Sequence, residues 1–113
     1  MQDHVELEIA FLTPDQGGRM NPPAINGYKP HLRIPPDSTM LGVEFFGYAG
    51  VAPVGAPISV LAKLVYAPAV SYSELRPGVS IEVLEGTRVV GHGFVVDARP
   101  NNSFKPNPLR GSA

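Results

Sequence analysis

The sequence has no cysteine, which excludes disulfides, thiolate metal sites and a cysteine nucleophile. It has no apolar run near the roughly 20 residues of a membrane span. Its first residues, MQDHVELEIAFL, place acids where a secretory signal needs a basic start and an unbroken apolar stretch. The expectation is a soluble cytoplasmic protein that makes no use of a membrane. A surplus of positive charge is also missing, with 9 Lys+Arg against 10 Asp+Glu. Lys105 and Arg110 stand in an acid-free C-terminal stretch, so residues 1–99 carry 7 basic and 10 acidic side chains. Non-specific nucleic-acid binders depend on the opposite balance, because released counterions drive them. What is abundant instead is 13 prolines and 12 glycines in 113 residues. Helix interiors tolerate neither, so short strands broken by turns are expected. The length suits one domain with its own core.

The strands can be read from period-two alternation. In residues 5–12, Val5, Leu7, Ile9 and Phe11 share one face, and Glu6 and Glu8 the other. Residues 13–27 are rich in Gly, Pro and Asn and read as a long loop, a kind that is often functional. Further strands are expected at 28–34, 41–48 and 58–66, with Pro30 limiting the first. Residues 79–96 read as two strands around a turn at Glu85, Gly86 and Thr87. The single helical signal is Ser71 with Glu74, a capping-box spacing closed by Pro77 and Gly78. Six strands without room for crossover helices predict an all-β fold, a six-stranded antiparallel closed β-barrel with at most one helical turn. Closure is favoured because few edge charges protect an open sheet. The barrel is expected over residues 1–98, with 99–113 a disordered tail.

The side chains offer no reaction. His4, His31 and His92 show no metal-ligand spacing and read as strand-surface residues. A second reading gathers His31, Arg33, Arg88 and His92 into a modest cationic patch. Glu6 and Glu8 read as solvated acids. Most aromatic residues are assigned to the core, with Tyr48, Tyr66 and Tyr72 the exposed ones. No catalytic, cofactor or metal residue is expected, and the protein is expected not to be an enzyme. No GxxxxGK[ST] phosphate loop is present, so no nucleotide is expected.

Three ordered segments carry a resemblance: Gly17, Gly18 and Arg19 before Pro22; Gly27, Tyr28, Lys29, Pro30 and His31; and Glu85, Gly86, Thr87 and Arg88 leading to Gly91, His92, Gly93 and the Val95–Val96 pair. Together they resemble the C-terminal, third β-barrel domain of bacterial elongation factor Tu, standing without its GTPase domain. The resemblance covers about residues 5–96. It implies a barrel that contacts tRNA, an exchange factor and the GTPase domain. Carried over by position, it places tRNA-facing candidates at Arg19, His31, Gly86, Thr87 and Arg88; with Lys29, Arg33 and His92 these make up the candidate partner- or RNA-binding residues. His31 and Thr87 replace a glutamine and a glycine of the family pattern, and only Arg19 and Arg88 of its RNA-facing side chains remain. Two arginines supply few phosphate contacts. The expected function is therefore a non-catalytic module that binds a protein through the 17–27 loop and the 85–88 hairpin. The alternative is tRNA binding through the same surface.

Overall fold

The computed structural model describes residues 2–100, with side chains described for residues 4–98. Six strands, β1 (Gln2–Phe11), β2 (His31–Arg33), β3 (Leu41–Phe46), β4 (Ile58–Leu64), β5 (Ser80–Glu85) and β6 (Arg88–Pro100), close into a barrel in the order β1-β4-β3-β2-β5-β6. Every neighbouring pair is antiparallel. Among the described residues, no helix is long and apolar enough to cross a membrane.

The alternation of β1 becomes the barrel wall directly. Val5, Leu7, Ile9 and Phe11 point inward and are buried, meeting Phe45, Val60, Ala62, Ile81, Val83 and Val95 in one core. Each of the larger ones contributes roughly 1.5–3 kcal/mol on leaving water, and Ala62 less. Strand β2 is shorter than its expected span because Pro30 has no N–H to donate. The ladder continues beyond it on one side. Val43 N donates to Pro30 O at 3.2 Å, Phe45 N to Tyr28 O at 2.8 Å, and Gly27 N to Phe45 O at 2.9 Å.

β6 holds a bulge. Val83 faces Gly91 and Leu84 faces Val89, which leaves Val90 as the extra residue. Val90 is consequently buried, while Val89 is only half-buried. Unbroken alternation would put Val89 on one face with Gly91, Gly93 and Val95; the bulge ends that face at Gly91. The glycines admit the neighbouring strand: a Cβ on Gly93 would overlap the Glu8 carbonyl and lie 2.7 Å from Ile9 Cα, and one on Gly91 would lie 2.8 Å from Ala10 O. β6 runs on to Pro100 opposite Gln2. The expected tail, from residue 101 onward, lies outside the described residues.

The helical turn is not at Ser71–Gly78. There Ser71 Oγ accepts from Ser73 N at 3.3 Å and shares a hydrogen bond with Ser73 Oγ at 3.0 Å, and the chain only turns. Serine side chains offer the backbone such alternatives to a helix. The 3-10 turn is at Pro14–Gln16 instead, where Gln16 Oε1 accepts from Thr13 N at 3.0 Å and Pro14 opens the turn. Tyr72, expected to be exposed, is 4% exposed, whereas Tyr66 is 56% exposed. The Tyr72 hydroxyl donates to Gly42 O at 2.8 Å and accepts from Tyr66 N at 3.1 Å, which gives a partner to a β3 carbonyl and to the N–H just past β4. Tyr72→Phe is expected to lower unfolding stability by about 1–2 kcal/mol, since both groups lose a partner. An unchanged urea midpoint would show that neither bond matters.

Candidate functional site

The long loop after β1 folds over one mouth of the barrel, and its own glycines allow this. Gly17 adopts φ 95°, and a Cβ on Gly18 would overlap the Leu12 backbone. Gly18 N returns to Thr13 O at 2.9 Å, and Leu12 N holds Val90 O at 2.9 Å. The β5–β6 hairpin turns through Gly86 at φ 63°, in the left-handed region that glycine suits. Loop and hairpin, 66 residues apart in sequence at Arg19 and Glu85, meet side by side.

Four side chains join them. Arg88 Nε donates to Gly17 O at 3.0 Å, and its Nη2 donates to Gly18 O. Arg19 Nη1 donates to Glu85 Oε2 at 2.5 Å, and its Nε to Asn21 O at 2.8 Å. The Tyr28 hydroxyl donates to the same Glu85 oxygen. The Arg19 guanidinium also stands 5.7 Å from the Tyr28 ring centroid, within cation–π range. The Tyr28 ring packs 6.0 Å from Phe11 and 5.7 Å from Phe45, so the cluster rests on the core. Burial raises the Tyr28 pKa, and the hydrogen bond to Glu85 raises it further. Burial alone lowers that of Arg19, but the hydrogen bonds to Glu85 and Tyr28 outweigh it and the net direction is up. Both shifts keep the groups in the protonation states that hold the loop down.

Of the candidate residues, the structure brings together Arg19, Arg88 and the Gly86–Thr87 turn. Lys29, Gly86 and Thr87 are exposed beside this cluster. The remaining three lie on the outer wall. Arg33, Glu82 and His92 form one cross-strand row, and Arg33 Nη2 pairs with Glu82 Oε1 at 2.6 Å. His31 is half-buried on the same face of β2. The cationic patch does not assemble, because Glu82 stands between Arg33 and His92 and Arg88 turns to the loop. Among the described residues, no group of three or more His, Asp or Glu could hold a metal.

Two features were missed in the sequence. Glu85 is the hub of the cluster, yet a carboxylate 66 residues from Arg19 leaves no local sign of its partner. Met20 and Val51 form the second. Among the described residues they are the most exposed large apolar ones, at 78% and 59%. They lie on adjoining loops joined by the Ala24–Val51 bridge and by Ala52 N donating to Pro23 O at 2.9 Å. No protein-family model and no curated protein matches the sequence.

Proposed function

We propose that this chain is a non-catalytic module of the cytoplasm that binds a protein partner through the 17–27 loop and the 85–88 hairpin, and that it is related to the C-terminal barrel of elongation factor Tu. The observation that carries the reading is where the arginines go. Arg19 and Arg88 direct their donors to Glu85 and to loop carbonyls, so phosphates would have to displace intramolecular bonds. The loop they hold presents Met20, a flexible apolar side chain fit to enter a partner's pocket. A rigid loop with one projecting apolar residue suits a protein interface, where a few buried anchors supply most of the affinity. A surface reading RNA would instead turn several cations outward.

Met20 is the residue to change. Arg19 and Arg88 are unsuitable, because their loss releases the loop itself. With the full chain as bait, the retained partner is expected to resist nuclease. Met20→Asp should leave the unfolding midpoint in place and weaken that partner at least about tenfold, the roughly 1.4 kcal/mol of a modest anchor. Met20→Leu should retain it. Undiminished binding by both Met20→Asp and Val51→Asp would place the interface elsewhere. Recovery of tRNA whose retention falls steeply with salt would replace the protein reading with the RNA one.

A further inference from the structure

A second surface lies on the outer wall of β1, β4 and β3. Cross-strand rows there run His4–Lys63–Glu44 and Glu6–Leu61–Phe46, with Glu8 opposite Ser59. Leu61 and Phe46 are apolar residues on the outward face, neither belonging to the core. Leu61 lines an open cleft of about 340 Å³ together with His4, Glu6, Gly47, Ser59 and Val60. The Phe46 and His4 ring centroids lie 6.0 Å apart in an edge-to-face arrangement. Around the cleft the wall carries three carboxylates, Glu6, Glu8 and Glu44, against one lysine, Lys63. The surface fits an extended segment that sets an apolar anchor beside a cation.

We propose that residues 101–113 of this chain are that segment, with Phe104 in the cleft. Where β6 ends supports this: Arg99 faces His4 and Pro100 faces Gln2, so the chain leaves the barrel one strand from the cleft's near rim. Phe104 follows Pro100 by four residues, which span up to about 14 Å when extended. That reaches the His4–Lys63 row, roughly 12 Å away at two strands of about 4.8 Å across and two residues of about 3.3 Å along, and leaves Leu61 in the adjoining row for the Phe104 ring. Asn101, Asn102 and Ser103 are residues that readily turn a chain. The segment contains Lys105 and Arg110 and no acid, the complement of the wall. Phe104 and Leu109 are its only large apolar side chains. An external protein bearing an aromatic residue beside a lysine would compete for the same place, which makes the segment an internal occupant of a binding surface. This inference does not depend on the role of the 17–27 loop.

The chain has no tryptophan, so Phe104→Trp in the full chain supplies a single fluorescent reporter. Its emission is expected at shorter wavelength than that of a solvated indole, with iodide quenching reduced severalfold. Adding Leu61→Lys should abolish both effects, and Glu44→Lys should weaken them. Rising salt should weaken them as well, because the attraction is between exposed charges. Glu44→Lys decides the matter if Leu61→Lys disturbs the far-ultraviolet dichroism of the barrel. A solvated emission in the Phe104→Trp chain would overturn the proposal. So would a shielded reporter that ignores both wall substitutions, since the segment then rests elsewhere. A shielding that grows with protein concentration would also overturn it, assigning the cleft to a second copy.

Discussion

Gly93→Ala is expected to cost the barrel at least about 3 kcal/mol, above most of the roughly 1–3 kcal/mol range of overpacking. The reason is what the added methyl meets. At Gly93 it overlaps the Glu8 carbonyl oxygen and comes within 2.7 Å of Ile9 Cα. Both are backbone atoms of a strand hydrogen-bonded on both sides, so no side chain can rotate away. Relief would require β1 and β6 to separate, and that seam joins the longest strands of the closed barrel. Gly91→Ala is expected to cost less, about 1–3 kcal/mol, because its nearest obstacle is 2.8 Å away. Urea unfolding followed by circular dichroism measures both. The order Gly93 worse than Gly91 is the specific claim, and equal midpoints for wild type and Gly93→Ala would refute the close approach of β1 to β6.

This pair of glycines also shows what could be read before the fold was known. Two bare positions one residue apart in a strand signal a close approach, but not which backbone approaches. The β1 pattern of Val5, Leu7, Ile9 and Phe11 was legible because alternation reports a one-sided wall directly. The bulge at Val90 was not, since a bulge adds one residue without changing composition, and it moved Val89 off the inner face. The helical turn was misplaced for a related reason. Ser71 with Glu74 and Thr13 with Gln16 satisfy the same spacing, but only the second has proline at its first position. The surrounding glycines and prolines hid it. In the site, Arg19 and Arg88 could be found from local motifs, but their partners could not. Glu85 and the carbonyls of Gly17 and Gly18 meet them only after the barrel closes, and closure is a property of all six strands. For that reason the arginines read as outward-facing charges in the sequence and as fasteners in the structure.

Glu85→Ala is expected to lower stability by about 2–3 kcal/mol and to free the loop it holds. Two hydrogen bonds are lost, one to a guanidinium and one to a phenol, each of a kind worth about 1.5–3 kcal/mol when one partner is charged. About a third of the Arg19 and Glu85 side chains remains exposed, so water restores part of the loss. Arg88 still grips Gly17 and Gly18, so the loop should loosen from Arg19 onward and not detach whole. Trypsin cleavage after Arg19 in native buffer is therefore expected to accelerate in Glu85→Ala, with the rest of the barrel resistant. Tyr28→Phe separates the phenol's share and adds a pH signature. The folded Tyr28 pKa lies above its ordinary value of 10.0, so the neutral hydroxyl is the form that folding favours. Its contribution is complete below about pH 10 and is lost as pH rises through the higher folded value. In that window the unfolded chain has already released the proton that the native chain retains, so stability falls with pH by up to about 1.4 kcal/mol per unit. Tyr28→Phe should flatten that part of the alkaline slope and leave the slope near neutrality alone. Tyr72, whose pKa burial also raises, keeps a remnant of the slope in the variant. Identical alkaline slopes for wild type and Tyr28→Phe would mean that the phenol is not held by Glu85, and the attachment of the loop would then rest on Arg19 and Arg88 alone.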